Sequence, residues 1–476
     1  MTDLISSAVG GRIVGFNDEF FAPASNLISL DDPIAKSEYT DRGKWMDGWE
    51  TRRRREPGHD WCVVALGVPG RIENVTIDTS FFTGNYPESF SIEGCGDEDD
   101  THLGTADWEE LLPKTSLSGD SRASFLVSNP HRFGYVRLNI FPDGGVARLR
   151  VEGTPIPARP QVCPDPDLVD LLSMLVGGEA VNASDVHYSP PSNLLRPTEP
   201  AGMWDGWETR RRRGPGNDWV ELKLGMPGMI ETVVIDTRHF KGNAPGWVSI
   251  LVSEDGAGWE TVLDRVAVAP HDVAGLGLPI PVHAGYLRVD IHPDGGLARV
   301  KALGRPDREA ATEKRVAYLN SLTASAARRF FGTACVSGSW VESMLGQRPF
   351  GGAGEVLAGA ERAFDLLDEA DWLEAFSGHP RIGEKGDETA NQEQSGLEAV
   401  STPTKTAIAD ANRGYEERFG FTYIVYASGK TAEEILAIAN SRLGATREQE
   451  IAVASLEQRA ITTNRLRRML CEGDQK

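Results

Sequence analysis

One stretch of 17 residues occurs twice in this chain and constrains its fold more than any other feature. It reads Trp45-Met-Asp-Gly-Trp-Glu-Thr-Arg-Arg-Arg-Arg-Glu-Pro-Gly-His-Asp-Trp61, then Met203-Trp-Asp-Gly-Trp-Glu-Thr-Arg-Arg-Arg-Arg-Gly-Pro-Gly-Asn-Asp-Trp219, with 13 positions identical. The likeness extends outward from it. Ile77-Asp-Thr79 with Phe82, Gly84, Asn85 and Pro87 returns as Ile235-Asp-Thr237 with Phe240, Gly242, Asn243 and Pro245. Asp18 and Asn26-Leu27 answer to Asp185 and Asn193-Leu194, while Tyr135-Val-Arg137, Pro142-Asp-Gly-Gly145 and Arg148 answer to Tyr286-Leu-Arg288, Pro293-Asp-Gly-Gly296 and Arg299. The offset drifts from 167 to 158 to 151. Length changes therefore fall between the blocks, as insertions in surface loops do. The chain contains a duplicated domain.

Two copies and a remainder make three domains, the number expected for 476 residues at roughly 100 to 200 residues each. The boundaries fall at 1–155, 156–307 and 308–476. Within each copy, short apolar runs such as Trp61-Cys-Val-Val-Ala-Leu66, Val75-Thr-Ile-Asp78 and Tyr135-Val-Arg-Leu-Asn-Ile-Phe141 are punctuated by Gly, Pro, Asn and Asp. That texture predicts an antiparallel sandwich or jelly roll. If the arginine run is a strand, Arg52 and Arg54 face one way and Arg53 and Arg55 the other, and Pro57-Gly58 turns the chain into the Asp60-Trp61 strand. Residues 155–166 form a proline-rich linker, and Asp167-Leu-Val-Asp-Leu-Leu-Ser-Met-Leu-Val176 reads as a short helix leading into the second copy. The two sandwiches should pack side by side, with a composite site possible at or near their interface.

From about residue 308 the texture becomes helical. Phe364, Leu367, Trp372 and Phe376 recur at helical spacing. Thr431-Ala-Glu-Glu434 and Thr446-Arg-Glu-Gln449 are capping boxes, the first opening a helix that Gly444 ends and the second a helix running towards Leu470. The fold class is two tandem antiparallel β-sandwich, jelly-roll-like lobes followed by an all-α domain.

A net charge of −21 argues against nucleic acid or an anionic membrane surface as partner, since both demand a basic field. The arginine runs are local features of an acidic protein. No apolar run is long enough to span a bilayer, and the N-terminus lacks the charged and apolar regions of a signal peptide. The five cysteines are odd in number and show no C-x-x-C spacing, so neither a disulfide framework nor a zinc knuckle is indicated. A reducing, cytoplasmic setting is expected, with small molecules as substrates and a homo-oligomer as the assembly.

The repeated stretch sets carboxylates, guanidinium groups and tryptophans within a few residues of one another. Guanidinium groups bind carboxylates in bidentate fashion, and neighbouring carboxylates can orient ureido N–H groups or act as acid and base. The candidate substrate-binding residues are Asp47, Glu50, Arg52, Arg54 and His59 in the first copy, and Asp205, Glu208, Arg210, Arg212 and His239 in the second. A plainer reading makes Trp49 and Trp61 core residues and pairs the arginines with acidic neighbours on a solvated face. Retention of all four arginines in both copies favours function. The copies differ where His59 faces Asn217, Phe81 faces His239 and Phe141 faces His292. Coordination of a metal by His59 with Asp60 or Glu50 has no diagnostic spacing behind it, and no metal site is assigned.

These residues, together with Asn17-Asp-Glu-Phe-Phe21, Phe240-Lys-Gly-Asn243 and Pro293-Asp-Gly-Gly296, resemble the allantoicase family over residues 1 to about 305. The resemblance implies two β-sandwich lobes and hydrolysis of allantoate to ureidoglycolate and urea. It does not assign roles to individual residues, and it leaves open whether this half uses a metal. A non-catalytic ligand-binding pair of sandwiches is the alternative, because fold alone does not fix function.

The helical domain carries Asp371-Trp-Leu-Glu-Ala-Phe-Ser-Gly-His379-Pro-Arg-Ile-Gly383, Glu393-Gln-Ser-Gly-Leu397, Asn412, Tyr415, Phe419-Gly-Phe421 and Arg465. From about 314 to 470 it resembles 2-oxo-4-hydroxy-4-carboxy-5-ureidoimidazoline (OHCU) decarboxylase. That implies formation of (S)-allantoin without a cofactor, His379 as catalytic acid/base, Glu393 and Gln394 hydrogen-bonding the imidazoline, and Arg465 on a substrate oxygen or carboxylate. Where the family has a Cys-Cys-Gly-Ser element, this chain reads Cys335-Val-Ser-Gly-Ser339.

Overall fold

The computed structural model describes residues 2–96, 101, 103–163, 168–383 and 402–471. It divides into two compact units, Met1–Thr323 and Ala324–Lys476.

The first unit holds both sandwich lobes, and each is organised by one long strand: Asp60–Asp78 in the first and Asp218–Asp236 in the second. The first lobe's sheet runs, in order, Thr2–Asp3, Arg148–Pro155, Asp60–Asp78, Arg132–Phe141, Ser89–Cys95 and Trp108–Ser116, with all pairs antiparallel. The early half of the long strand pairs with Arg132–Phe141 and Arg12–Phe16, and its later half with Arg148–Pro155 and Arg122–Leu126. One strand therefore serves both faces of the sandwich. It changes partners at Gly67-Val-Pro69-Gly70, where the register slips. A Cβ on Gly67 would lie 2.4 Å from the Val9 carbonyl, so the close crossing requires glycine, and Pro69 sits at the break in pairing where a lost N–H costs least. The second lobe repeats this at Gly225, where a Cβ would lie 2.5 Å from the Val176 carbonyl.

Alternating residues of these strands fill the lobe interior. Cys62, Val64, Ile72, Val75, Ile77, Phe90, Ile92, Val136, Leu138 and Ile140 form the first core around Trp49. Met174 and Leu175 of the second copy pack on that same core, and Thr198 donates its hydroxyl to the Ala8 carbonyl at 2.7 Å, so the lobes are joined directly.

Two sequence expectations give way here. The described residues 168–176 form no α-helix: Val169–Asp170 is a strand paired to Arg299–Pro306, and Ser173 caps a 3-10 turn over Met174–Val176. Thr2–Asp3 and the Ser6-capped turn Ser7–Val9 do the same in the first lobe, so this segment is the true start of the second copy. The arginine run is no strand either; residues 51–59 lie outside regular structure. Cys62, Cys95 and Cys335 are buried free thiols.

A helix over Arg308–Ser321 completes the first unit. The regular structure of the second unit, among its described residues, is all α-helix: 324–334, 338–346, 353–364, 369–377, 402–419, 432–442 and 447–469. The apolar run around Phe364 is broken at Asp368, whose side chain caps a new helix by accepting from the Asp371 N–H. Both later capping boxes form, at Thr431/Glu434 and Thr446/Gln449. Stacked rings hold this core, with Phe364 parallel to Trp372 at 5.4 Å and Tyr415 meeting Phe419 and Phe421. Among the described residues, no helix is long and apolar enough to cross a membrane.

Candidate active sites

Most of the duplicated motif has a structural task. Asp47 accepts from Arg148 at 2.9 Å, and the guanidinium also reaches the Asp47 and Asp31 carbonyls. Gly48 and Gly145 lie against the buried ring of Phe82, where any Cβ would clash with Phe82. Trp49 is fully buried, and its indole N–H donates to the Asp18 carbonyl at 2.8 Å. The Thr51 hydroxyl accepts the Gly144 N–H at 3.1 Å, tying the motif to the Pro142-Asp-Gly-Gly145 turn. The second lobe repeats each device with Asp205 on Arg299, Gly206 and Gly296 on Phe240, Trp207 on the Asp185 carbonyl, and Thr209 on Gly295.

The arginines divide by parity even without a strand. Arg52 reaches Asp18 at 2.6 Å, and Arg54 reaches the buried Asp60 at 2.6 Å, while the Arg54 main chain donates to Asp143. Their counterparts Arg210 and Arg212 pair with Asp185 and Asp218. Arg53, Arg55, Arg211 and Arg213 point into solvent. For these four, no side-chain hydrogen bond or ion pair forms among the described residues. Arg52 and Arg54 are thus paired with acidic neighbours.

Glu50 is different. It is half-buried, and among the described residues its carboxylate accepts one hydrogen bond, from the Asn85 amide at 2.8 Å; Glu208 accepts from Asn243 at 2.7 Å. Burial raises the Glu50 pKa, and the Asn85 bond only partly offsets it. In contrast, burial of Asp18 is outweighed by hydrogen bonds from the Phe20 N–H and from Arg52, so its pKa is lowered.

The first lobe also holds an open cavity that includes Asn26, Asp41, Arg42, Trp45 and Asp47 in its walls. It forms beneath the Tyr39–Thr40/Gly43–Lys44 hairpin. This hairpin lies in the stretch where the first copy is longer than the second. In the second lobe Arg196 pairs with Asp205 instead.

The histidines are dispersed. His59 packs its ring on Phe141 at 4.7 Å. His239 sits at φ 71°, as does Phe81 in the matching turn, and bonds the Pro200 carbonyl at 2.8 Å. Asp60, which the sequence offered as a partner for His59, accepts from Asn17 and Arg54. Among the described residues no group of three or more His, Cys, Asp or Glu side chains gathers as a metal ion would require.

In the helical unit, His379 follows the Glu369–Ser377 helix, its main-chain N–H bonded to the Phe376 carbonyl at 3.2 Å. With Pro380 and Ile382 it lines a small cavity closed on the other side by Tyr423–Ser428 and Ile461. Arg465 lies two turns beyond Glu457 and one beyond Ile461 on the Arg447–Met469 helix, and bonds the Ala334 carbonyl at 3.4 Å. Glu393 and Gln394 lie outside the described residues. The divergent Cys335-Val-Ser-Gly-Ser339 element starts a helix, Ser337 capping it through the Trp340 N–H. Sequence reasoning missed Asn85 and Asn243 as partners of the glutamates, although both recur in the duplication, and missed the Tyr423–Ser428 wall, which carries no motif.

Two sandwich lobes bearing twin carboxylate–arginine clusters, followed by a separate helical unit with a cavity beside His379 and Pro380, are the architecture of two units fused in one chain. Comparison with known proteins gives the same division. The allantoicase repeat matches residues 2–156 and 169–307, and OHCU decarboxylase matches residues 320–467. A protein named "Probable allantoicase" from Pseudomonas paraeruginosa is 43% identical over 327 residues, 64% of this chain and 96% of that protein. One of the same name from Acinetobacter baylyi is 42% identical over 319 residues, covering 64% and 94%. The crystal structure of allantoicase from Saccharomyces cerevisiae superposes with a TM-score of 0.54 at 33% identity, covering 64% of this chain and 92% of that one. This chain belongs to the allantoicase family and carries an OHCU decarboxylase domain at its C-terminal end. It is a bifunctional enzyme of allantoin degradation.

Proposed function

We propose that allantoate is hydrolysed to ureidoglycolate and urea at the Glu50–Asn85 cluster and its twin, Glu208–Asn243. One observation carries this reading. Of the residues retained in both copies, Asp47, Gly48, Trp49, Thr51 and Phe82 are explained by packing and buried hydrogen bonds, whereas a half-buried carboxylate held by a single amide is not needed by the fold. A carboxyl group whose pKa is raised by burial suits proton transfer. In this reaction water adds its oxygen to the carbon bearing the ureido group, the C–N bond breaks, and the departing nitrogen takes a proton to leave as urea. In this reading Glu50 moves this proton, and an exposed arginine of the run meets the substrate carboxylate.

In the helical unit His379 is the acid/base of decarboxylation. The bond to the carboxyl carbon breaks, the electrons delocalise into the substrate's own C=N and carbonyl system, and a proton is delivered to one face of the carbon as CO2 departs. No cofactor is needed for that electron flow; the protein supplies orientation and the proton. Arg465, Glu393 and Gln394 hold the substrate's polar edges. We read the protein as a cytoplasmic homo-oligomer acting on small molecules. The test is urea release from allantoate by Glu50→Gln and Glu208→Gln in the full chain, with OHCU decarboxylation as internal control. Loss of urea release with decarboxylation intact is the expected result, and unchanged urea release in both variants and in their double variant overturns the assignment.

A further inference from the structure

One wall of the His379 cavity is built from chain that pairs with no strand among the described residues. Tyr423–Ala427 belongs to neither helix nor sheet, yet Tyr423, Ile424, Val425 and Ala427 are buried. Buried main-chain N–H and C=O groups must find partners. Here charged side chains supply them. The Ile424 carbonyl accepts from Arg442 at 2.8 Å, the Tyr426 N–H donates to Glu457 at 2.7 Å, and the Tyr426 carbonyl accepts from Lys430 at 2.6 Å. In an extended chain, alternate residues turn their main-chain groups to the same side. Residues 424 and 426 thus share a side, and the Ala432–Arg442 and Arg447–Met469 helices occupy it in place of a neighbouring strand.

The supports are themselves fixed. Arg442 is buried and bonds Glu450 at 2.7 Å, and fully buried Glu450 also accepts the Tyr415 hydroxyl. Glu457 precedes Ile461 and Arg465 by one and two turns, so a single face of the long helix carries the wall support, a cavity-lining residue and the expected substrate-binding arginine. Neither Arg442 nor Glu457 lines the cavity.

We propose that Glu457 and Arg442 are positioning residues of the decarboxylase, which set the register of the Tyr423–Ser428 wall against His379 without touching substrate. The proposal rests on the reading of this cavity as the decarboxylation site. Its consequence is specific: what matters at position 457 is an acceptor oxygen at the right reach, not a negative charge.

The experiment uses the full chain with Glu457→Gln, Glu457→Asp and Glu457→Ala, measuring OHCU decarboxylation, urea release from allantoate and thermal unfolding. An alanine there is compatible with the helix, and misplacement of a reacting group by about 1 Å can cost roughly a hundredfold in rate. Glu457→Ala is expected to lower kcat at least about tenfold with a smaller change in KM, Glu457→Asp to be intermediate, and Glu457→Gln to stay within about threefold of the parent. Urea release should be unchanged in all three. Arg442→Lys, which keeps the charge but shortens the reach, should lower kcat in the same way. Parental kcat in Glu457→Ala overturns the proposal, and so does equal impairment of the Gln and Ala variants. Failure of the underlying reading looks different: His379→Asn would then decarboxylate as fast as the parent.

Discussion

Asn85 donates its side-chain amide to Glu50 at 2.8 Å, and this is the only hydrogen bond that the half-buried carboxylate accepts among the described residues. The consequence has a sign. A carboxyl group whose folded pKa lies above its ordinary value of 4.5 binds protons more tightly in the folded state. Stability is therefore fully present below that value and declines as pH rises through the folded pKa. Glu50→Gln removes the penalty while keeping the amide contact. Near neutral pH the variant should melt at or above the parent's temperature, the advantage should vanish near pH 4, and urea release should fall by about two or more powers of ten. Thermal unfolding against pH, with urea assays on the same samples, tests both halves.

The arginine run offers a sharper contrast. Arg54→Ala strips buried Asp60 of its guanidinium partner and leaves Asn17 to satisfy it. Losing a hydrogen bond to a charged group costs about 1.5 to 3 kcal/mol, so this variant should unfold at lower temperature. Arg53 and Arg55 make no side-chain hydrogen bond or ion pair among the described residues and should be silent in melting. If either clamps the substrate carboxylate, its replacement by lysine, a point charge in place of a planar fork, should slow urea release by about one to two powers of ten. Single Arg→Lys variants across both runs, assayed for urea release and melting, separate the two roles.

How much of this could be read from residues alone depends on which force decided each element. The duplication is legible because its retained residues interlock: Gly48 and Gly145 must yield to Phe82, and Thr51 must meet Gly144. The capping boxes at Thr431 and Thr446 are local and form as their spacing dictates. Residues 167–176 mislead because Leu171, Leu172 and Val176 recur at a helical interval, while the edge of a sheet formed by distant residues 303–304 claims Val169–Asp170. The arginine run misleads for the converse reason, since its partners Asp18, Asp60 and Asp143 come from three separated segments. The same holds for the decarboxylase wall, whose supports at Arg442 and Glu457 belong to no motif.

Asp205 should be a site of acid lability in the second lobe. Burial works to raise its pKa, but the Ala201 N–H and the guanidinium groups of Arg299 and Arg196 outweigh it, and the net shift is downward. A depressed carboxylate contributes stability above its ordinary value of 3.8, and that contribution is lost as pH falls through the folded pKa. Asp205→Asn leaves two arginine side chains, both largely buried, without their counter-charge. The variant should lose stability at neutral pH and show a flatter decline than the parent below pH ~4. Asp47→Asn, with one arginine partner, should lose less. Acid titration of intrinsic fluorescence in the three proteins measures the difference.

His379→Asn bears on the independence of the two halves as well as on chemistry. The imidazole belongs to the unit Ala324–Lys476, whose packed rings are its own, while the Glu50 and Glu208 clusters belong to Met1–Thr323. Asparagine is close in size to imidazole and retains a hydrogen-bonding side chain, and the main-chain N–H that holds residue 379 to the Phe376 carbonyl is unaffected by the change. Folding of the helical unit should therefore survive. What disappears is the imidazole, and general acid–base catalysis contributes about 10² to 10⁴ in rate. Decarboxylation should fall by at least that lower figure and urea release should remain at the parent's level. A parallel fall in both activities would mean that the units depend on one another for their folded state, while retained decarboxylation would move the acid/base role to another residue at the cavity.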